Sequence, residues 1–172
     1  MTDNWPDPAF RHLTSTLLGS LASDEVGSAI VQHVALQVDE LGEENRDAIV
    51  SRLPSGTQAV YTTWLVDIEV NNGGFNQFFF NAYGQYAGLA LAGYELLGAE
   101  DYAAVMRAAI ATHEAERDTI ARYYDENTLE SFSESYQHTE LGEVDQRYYA
   151  LGDRIYGVWA SFVRQHPELF NE

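Results

Sequence analysis

His113 and Glu114 open a short run, HEAER, that begins like the metal-binding helix of zinc proteases. In that helix, two histidines four positions apart hold the zinc ion and a glutamate acts as general base. Arg117 stands where the second histidine would have to be. The other histidines are scattered and the chain has no cysteine, so we predict no metal site and interpret His113 as a hydrogen-bonded core or groove residue.

Asp67 and Glu69 are the other candidates for chemistry, since paired carboxylates can serve acid–base catalysis or bind a polar ligand. Residues two apart on a helix do not face each other, which disfavours catalysis by this pair. The sequence also lacks a glycine-rich phosphate loop and the Glu-x-x-His pair of di-iron bundles. We therefore expect no catalytic residue and no cofactor. An unrecognised enzyme built around Asp67, Glu69 and His113 is the least favoured alternative.

Charge is the most unusual property of the chain. Its 27 acidic and nine basic residues give a net charge of −18, and every basic residue is arginine. Such a surface repels nucleic acid and anionic membranes, and it attracts basic proteins in a salt-dependent way. A hydrophobic content of 45% is enough for a folded core. We expect a basic protein as partner, with no direct nucleic-acid binding and no membrane association.

The acidic residues concentrate in two groups. Carboxylates four apart on a helix lie ~6 Å apart, a spacing close to that of successive phosphates along a DNA strand. The larger group contains only Arg117 and Arg122 as bases, and its acids are Glu114, Glu116, Asp118, Asp125, Glu126, Glu130, Glu134, Glu140, Glu143 and Asp145. The smaller group lies at the turn between the second and third predicted helices and comprises Asp39, Glu40, Glu43 and Glu44, with no base until Arg46. Both groups are candidate contact surfaces for a partner.

The same composition has two simpler explanations. Acidic faces of helices are usually only solvated, and a lack of lysine also results from a GC-rich genome or from adaptation to high internal salt. An immunity-type inhibitor that covers a basic toxin or nuclease would use the same electrostatics on another target. These alternatives stay open at the level of sequence.

The elements that position these residues are predicted to be helices throughout. We predict an all-α single domain of six to eight helices over residues 1–172, ending in two long helices, Glu100–Tyr124 and Val144–Gln165. A segment between them, residues 125–143, is predicted as a loop or irregular half-helix. The second helix should bury Val26, Ile30, Val34 and Val38 and stop near Gly42. Small residues at Gly84, Gly88 and Ala92 predict a close helix contact.

A segment with the sequence EVNNGGFNQFFFN interrupts this pattern at residues 69–81. Asparagine and glycine accept positive φ angles, so the NNGG run predicts a helix end followed by a sharp re-entry. Phenylalanines at positions 75, 78 and 79 share a helical face, and the amides are expected to bond backbone groups at the two helix ends. We interpret the segment as a signature of the fold, carried by Glu69, Asn72, Gly73, Gly74, Phe75, Gln77, Phe78 and Asn81.

This segment, with the runs VDQRYYAL and RQHPELF near the end, resembles a family of small helical bacterial proteins typified by a DNA mimic. The resemblance covers residues 43–170 approximately. It implies an acidic dimer that occupies the DNA-binding face of a helix-turn-helix transcription factor. Tyr123, Tyr124, Tyr148 and Tyr149 are candidates for the dimer seam, since tyrosine is enriched at protein interfaces.

The N-terminal sequence shows no basic region followed by an apolar stretch, so a cytoplasmic protein is expected. The function predicted from the sequence is that of an acidic protein-binding regulator resembling DNA mimics.

Overall fold

The computed structural model describes residues 5–171, and every regular element in that range is helical, which confirms the all-α prediction. The ten α-helices of this range are α1 (Ser15–Ser20), α2 (Glu25–Leu41), α3 (Arg46–Arg52), α4 (Ser55–Phe80), α5 (Ala87–Leu96), α6 (Glu100–Ala115), α7 (Arg117–Glu126), α8 (Leu129–Ser135), α9 (Leu141–Tyr149) and α10 (Arg154–Gln165). Short 3₁₀ turns cover Pro8–Arg11, Glu43–Asn45, Ala82–Tyr86 and Pro167–Phe170.

The number of helices exceeds the prediction because both predicted long helices are broken. The first ends at Ala115 and restarts at Arg117. At the break, the carboxylate of Glu116 accepts hydrogen bonds from the Thr139 hydroxyl (2.5 Å) and the Glu140 backbone N–H (2.7 Å). The side chain of the breaking residue is thus bonded to the start of α9, which a sequence pattern does not reveal.

The second predicted long helix is broken between Tyr149 and Arg154. Gly152 lies in the left-handed region, with φ +61°, and its carbonyl accepts a hydrogen bond from the Tyr102 hydroxyl at 2.7 Å. A glycine in this conformation stops a helix. The segment predicted as a half-helix contains α8, whose start is fixed by a capping box between Thr128 and Ser131.

The chain divides into two compact units, one of Met1–Trp64 with Asp153–Glu172 and one of Leu65–Gly152. The single domain remains a prediction. In the first unit, α2 packs against α10 and ends at Gly42, and its predicted inward face is confirmed by the burial of Val26, Ile30, Val34 and Val38. The buried indole of Trp159 donates a hydrogen bond to the Thr63 hydroxyl at 3.0 Å.

In the second unit, α5 and α9 each pack on α6, and α7 packs on α8. Its core combines buried aromatic rings with a buried carboxylate: the Tyr148 hydroxyl donates to Asp67 Oδ1 at 3.0 Å and lies 3.4 Å from the Tyr94 hydroxyl. The close contact predicted from Gly84, Gly88 and Ala92 is wrong for the last two, which are exposed, and a Cβ at Gly88 would meet no atom within 4 Å. At Gly84 the chain does approach α4 closely, since a Cβ there would lie 2.9 Å from the Phe79 Cα.

Candidate functional site

The NNGG segment breaks the helical path of α4, as predicted. Gly73 and Gly74 have non-helical angles, and Gly74 has φ +72° and ψ −179°, a combination that is essentially restricted to glycine. A Cβ atom built on Gly74 would lie 2.3 Å from Asp145 Oδ2. Position 74 therefore requires glycine both for its backbone angles and for the approach of this carboxylate.

Asp145 caps the helical segment that restarts after the kink. Its Oδ1 accepts a hydrogen bond from the Phe75 backbone N–H at 2.7 Å, which satisfies a donor at a helix N-terminus. Only 8% of the residue is exposed. Burial raises the pKa of the carboxyl, an effect that the Phe75 N–H partly opposes. The prediction that Asp145 belongs to the exposed acidic surface is wrong.

Amide side chains bridge the kink through a second carboxylate. Glu69 Oε2 accepts hydrogen bonds from Gln77 Nε2 (2.7 Å) and Asn81 Nδ2 (2.8 Å), and Asn72 Nδ2 donates to Gln77 Oε1 at 3.0 Å. We expected Asn76, Gln77 and Asn81 to bond backbone groups, and that expectation is wrong, since all three bond side chains. The buried carboxylate provides a stronger, charged acceptor within reach of the two turns that follow the kink.

The possible ligand pocket at Asp67 and Glu69 is filled by these internal contacts. Asp67 accepts hydrogen bonds from Asn71 and from the Tyr148 hydroxyl, both at 3.0 Å. Glu69 is bonded by the two amides described above, and both acids are buried. Within residues 5–171, no three histidine, aspartate or glutamate side chains are grouped so that they would hold a metal ion.

The kink also anchors α7 and α8. Asn76, 1% exposed, donates a hydrogen bond to the Ser135 hydroxyl on α8 at 2.8 Å and accepts one from the Tyr124 hydroxyl on α7 at 3.1 Å. Tyr136, which directly follows α8, donates to the Gly73 carbonyl at 2.5 Å. The amide of Asn76 is thus satisfied by two different helices.

Aromatic contacts strengthen this attachment. The rings of Phe79 on α4 and His113 on α6 are stacked at 4.1 Å with an interplanar angle of 11°. Phe80 contacts the rings of Tyr124 and Phe132, with centroids 5.2 Å and 4.8 Å apart. Burial, followed by the neighbouring Arg117 cation, lowers the pKa of His113. His113 is therefore a half-buried packing residue of α6, and the hydrogen bond in its interpretation from the sequence stays a prediction.

The tyrosine dimer seam predicted from the sequence is wrong for two of its four residues and stays a prediction for Tyr124 and Tyr149, which are partly exposed. Tyr123 and Tyr148 are buried. Tyr124 bonds Asn76, and Tyr149 donates to the Val70 carbonyl at 2.9 Å, at the end of the first segment of α4. These residues position α7 and α9 relative to the kink.

The larger acidic group is carried by the elements that the kink anchors. Two of its ten members serve internal contacts, namely Glu116 and Asp145. The other eight are exposed, and none forms an ion pair with a basic side chain within residues 5–171. These eight acids are Glu114, Asp118, Asp125, Glu126, Glu130, Glu134, Glu140 and Glu143. They lie on four separate helices or at their ends, so the spacing of four residues within one helix is found in pairs such as Glu130 and Glu134.

Arg122 lies among the acids of this surface. Its guanidinium carbon lies 4.4 Å above the Tyr123 ring, and the guanidinium donates to the Tyr123 hydroxyl. The bond to Tyr123 raises the pKa of Arg122, and the charges of Glu134 and Glu126 add to the effect. Both carboxylates therefore lie near one cation, which places acids of α7 and α8 on a common surface.

The smaller acidic group, in the other unit, is half neutralised. Glu40 pairs with Arg11 at 2.7 Å, and Glu43 pairs with Arg46, which lowers the pKa of Glu43. Asp39 and Glu44 are exposed without such a partner in the described range. The Arg11 contact was not foreseen because 29 residues separate the pair. This group is the weaker candidate for a partner surface.

A family model described as DMP19-like protein matches residues 51–166, more than half of the chain. The chain belongs to the DMP19-like protein family. The abbreviation stands for DNA mimic protein 19, so the resemblance stated from the sequence is confirmed. The DMP19-like region includes the kink and the whole larger acidic group, and it excludes the smaller group. No curated protein and no solved structure is significantly similar to the chain.

None of the helices in residues 5–171 is both long enough and apolar enough to cross a membrane.

Proposed function

We propose that this DMP19-like protein is an acidic regulator that acts in the cytoplasm by binding and not by catalysis. It occupies the DNA-binding face of a basic DNA-binding protein, such as a helix-turn-helix transcription factor. The observation that carries the proposal is the set of eight exposed, unpaired carboxylates on α6 to α9, within the region that matches the DNA-mimic family.

The electrostatics of this surface suit a basic partner. Exposed charges of one sign steer an oppositely charged partner and raise the association rate at low salt. Because the carboxylates form no ion pair with a basic side chain within residues 5–171, a partner does not have to break such pairs to engage them. The contacts of Asn76 and Tyr136 at the kink hold α7 and α8 in place before any partner arrives.

A competition experiment tests the proposal. The tagged protein captures basic proteins from lysate of its own organism at low salt, and DNA-binding proteins are identified in the late fractions of a salt gradient. A captured protein should be displaced by the duplex that it binds specifically, because both ligands use the same face. A captured protein that binds its duplex and this chain simultaneously would contradict the proposal.

Charge variants locate the surface. Replacing three acids together, Glu126→Gln, Glu130→Gln and Glu134→Gln, should weaken binding of the captured protein at least tenfold at low salt. The matched control removes the same charge elsewhere, with Asp39→Asn, Glu44→Gln and Glu100→Gln, and should have a smaller effect. Equal losses in the two variants would show that only net charge matters.

A homodimer is also part of the proposal. With Tyr123 and Tyr148 buried, the exposed apolar face of α5, formed by Leu89, Ala92 and Leu96, is the surface that supports it. Sedimentation at micromolar concentration should give twice the mass of the chain, and Leu89→Glu with Leu96→Glu should reduce it to one chain. A monomeric wild type would exclude the dimer.

A further inference from the structure

Helix α8 has the reverse of the usual distribution of polar and apolar side chains. A surface helix normally buries its apolar residues and exposes its polar ones. In α8 the buried residues are Ser131 and Ser135, whereas Leu129 is 86% exposed. Tyr136, one residue past its end, is 41% exposed. Phe132 lies between them at helical spacing and is half-buried, with its ring against Phe80, so Leu129, Phe132 and Tyr136 form an apolar stripe whose most exposed member is Leu129.

Several internal bonds fix α8 in this orientation. The Thr128 hydroxyl accepts from the Ser131 backbone N–H at 3.0 Å, and the Ser131 hydroxyl accepts from the Thr128 backbone N–H at 3.1 Å. The Ser135 hydroxyl accepts from Asn76 and donates to the Phe132 carbonyl at 2.7 Å. The bonds between Thr128 and Ser131 lie within the helix, whereas those from Asn76 to Ser135 and from Tyr136 to the Gly73 carbonyl join it to α4, so turning the helix to bury Leu129 would break the latter two. The exposure of Leu129 is thus built into the fold.

Carboxylates surround the stripe. Glu130 and Glu134 lie on α8 itself, and Asp125 and Glu126 lie at the end of α7 just before it. All four are exposed and unpaired with bases of the described chain. A second copy of this chain is a poor occupant, because joining two such stripes would bring like charges together.

We propose that the α8 stripe of Leu129, Phe132 and Tyr136 binds the apolar face of a basic amphipathic segment of the partner protein. This inference rests on the proposed function and specifies its partner: a segment with apolar side chains at helical spacing and lysine or arginine beside them. Carboxylates steer the segment, and the apolar side chains retain it. A surface that only imitated the charges of DNA would not require the stripe.

Two synthetic peptides of equal length and equal lysine content test the proposal. The first, of about 15 residues, has leucines at i, i+3, i+4 and i+7 among lysines, and the second has alanine in place of every leucine. Dissociation constants are measured by fluorescence anisotropy at low salt. The leucine peptide should bind roughly tenfold more tightly, since it buries apolar side chains against the stripe.

Variants assign this preference to Leu129. Leu129→Ser should remove most of the preference for the leucine peptide and leave affinity for the alanine peptide unchanged. Ile68→Ser, which changes an exposed apolar residue on α4 outside both proposed surfaces, is the matched control and should leave both affinities unchanged. The triple acid variant at Glu126, Glu130 and Glu134 should weaken both peptides. Circular dichroism and urea unfolding verify that each variant is folded.

The outcomes separate this inference from the proposed function. Equal binding of the two peptides, or a preference that survives Leu129→Ser, would overturn the stripe and leave the charge-based function standing. A sedimentation mass that falls from two chains to one on Leu129→Ser would overturn it too, by showing that a second copy covers the stripe. If neither peptide binds at low salt, both proposals fail.

Discussion

The Oδ1 atom of Asp145 accepts a hydrogen bond from the backbone N–H of Phe75, 2.7 Å away and 70 residues earlier in the chain. One acid of the acidic region thus caps the helical segment that starts after the kink in α4. The contact joins α9 to the segment by which the family is recognised. Acidic residues of this region therefore have two roles: Asp145 stabilises the fold, and the exposed acids form the charged surface.

Gly74→Ala should strongly destabilise the protein. Its backbone angles cost a non-glycine residue about 1–3 kcal/mol, and the new methyl group would collide with Asp145 Oδ2. Gly157→Ala is the matched control, because a Cβ there meets no atom within 4 Å inside α10, and it should stabilise by about 0.5–1 kcal/mol. Urea unfolding at neutral pH measures both. Similar effects of the two substitutions would contradict the geometry of the kink.

Substitutions of Asp145 should separate its hydrogen bond from its charge. Asp145→Ala leaves the Phe75 N–H without its acceptor and should cost about 1–3 kcal/mol at any pH. Asp145→Asn keeps an oxygen acceptor and removes the buried charge, so it should be at least as stable as the wild type at neutral pH.

The advantage of Asp145→Asn should depend on pH. Burial raises the pKa of the Asp145 carboxyl in the folded state above its ordinary value of 3.8. The contribution of this group to the free energy of unfolding is therefore largest below pH 3.8 and is lost as the pH rises through the raised pKa. The difference between Asp145→Asn and the wild type should therefore shrink as pH falls towards 3.8. Unfolding free energies at several pH values measure it, and a difference that grows on acidification would contradict the assignment.

Asn76→Ala should be far more damaging than Asn72→Ala, although both residues belong to the same segment. Asn76 is buried and bonds Ser135 and Tyr124, so its loss leaves the half-buried Tyr124 hydroxyl without its acceptor and the buried Ser135 hydroxyl without its donor, and should cost about 2–4 kcal/mol. Asn72 is exposed and bonds only the Gln77 amide in the contacts described above, and its loss should cost less than about 1 kcal/mol. Thermal unfolding ranks the two, and the reverse order would disprove the anchoring role.

His113 should make the stability fall on mild acidification. Its folded pKa is below the ordinary value of 6.5, so the unfolded chain takes up a proton first as the pH falls below 6.5, and the folded state loses relative stability. His113→Phe keeps a flat ring against Phe79 and should flatten this part of the pH profile. Unfolding free energies between about pH 7.5 and pH 5.5 test the expectation, and identical slopes for the two proteins would refute it.

Added salt should affect stability and binding in opposite directions. Screening reduces repulsion among the unpaired carboxylates, so the melting temperature should rise between about 0.02 M and 0.5 M sodium chloride. The same screening should weaken capture of a basic partner. Differential scanning fluorimetry and a binding titration in the same buffers provide the comparison. A melting temperature that falls with salt would show that ion pairs dominate.

Local patterns were sufficient for several elements of the fold. The fourfold spacing of Val26, Ile30, Val34 and Val38 with Gly42 behind it predicted α2 correctly, because burial and termination are both encoded within a few turns. The NNGG run predicted the kink for the same reason.

Contacts between distant residues account for the errors. Glu116 breaks a predicted helix while its carboxylate bonds residues 23 and 24 positions later, and Asp145 is buried by a contact with a segment 70 positions earlier. The number of acidic residues in a segment does not show which of them are used in internal contacts, so both were assigned to the surface. Periodicity likewise favoured a tyrosine interface, whereas Tyr124 and Tyr149 use their hydroxyls inside the unit.

The eight carboxylates of the larger group that make no ion pair within the described chain have an evolutionary consequence. A residue without an internal bond can be replaced with little effect on folding, so the pattern of acids on α6 to α9 is free to drift from one lineage to another. Gly74, Asn76 and Asp145 do not have that freedom. Members of one family can thus acquire different targets on an unchanged framework, and such a framework is a natural starting point for engineered inhibitors of chosen basic proteins.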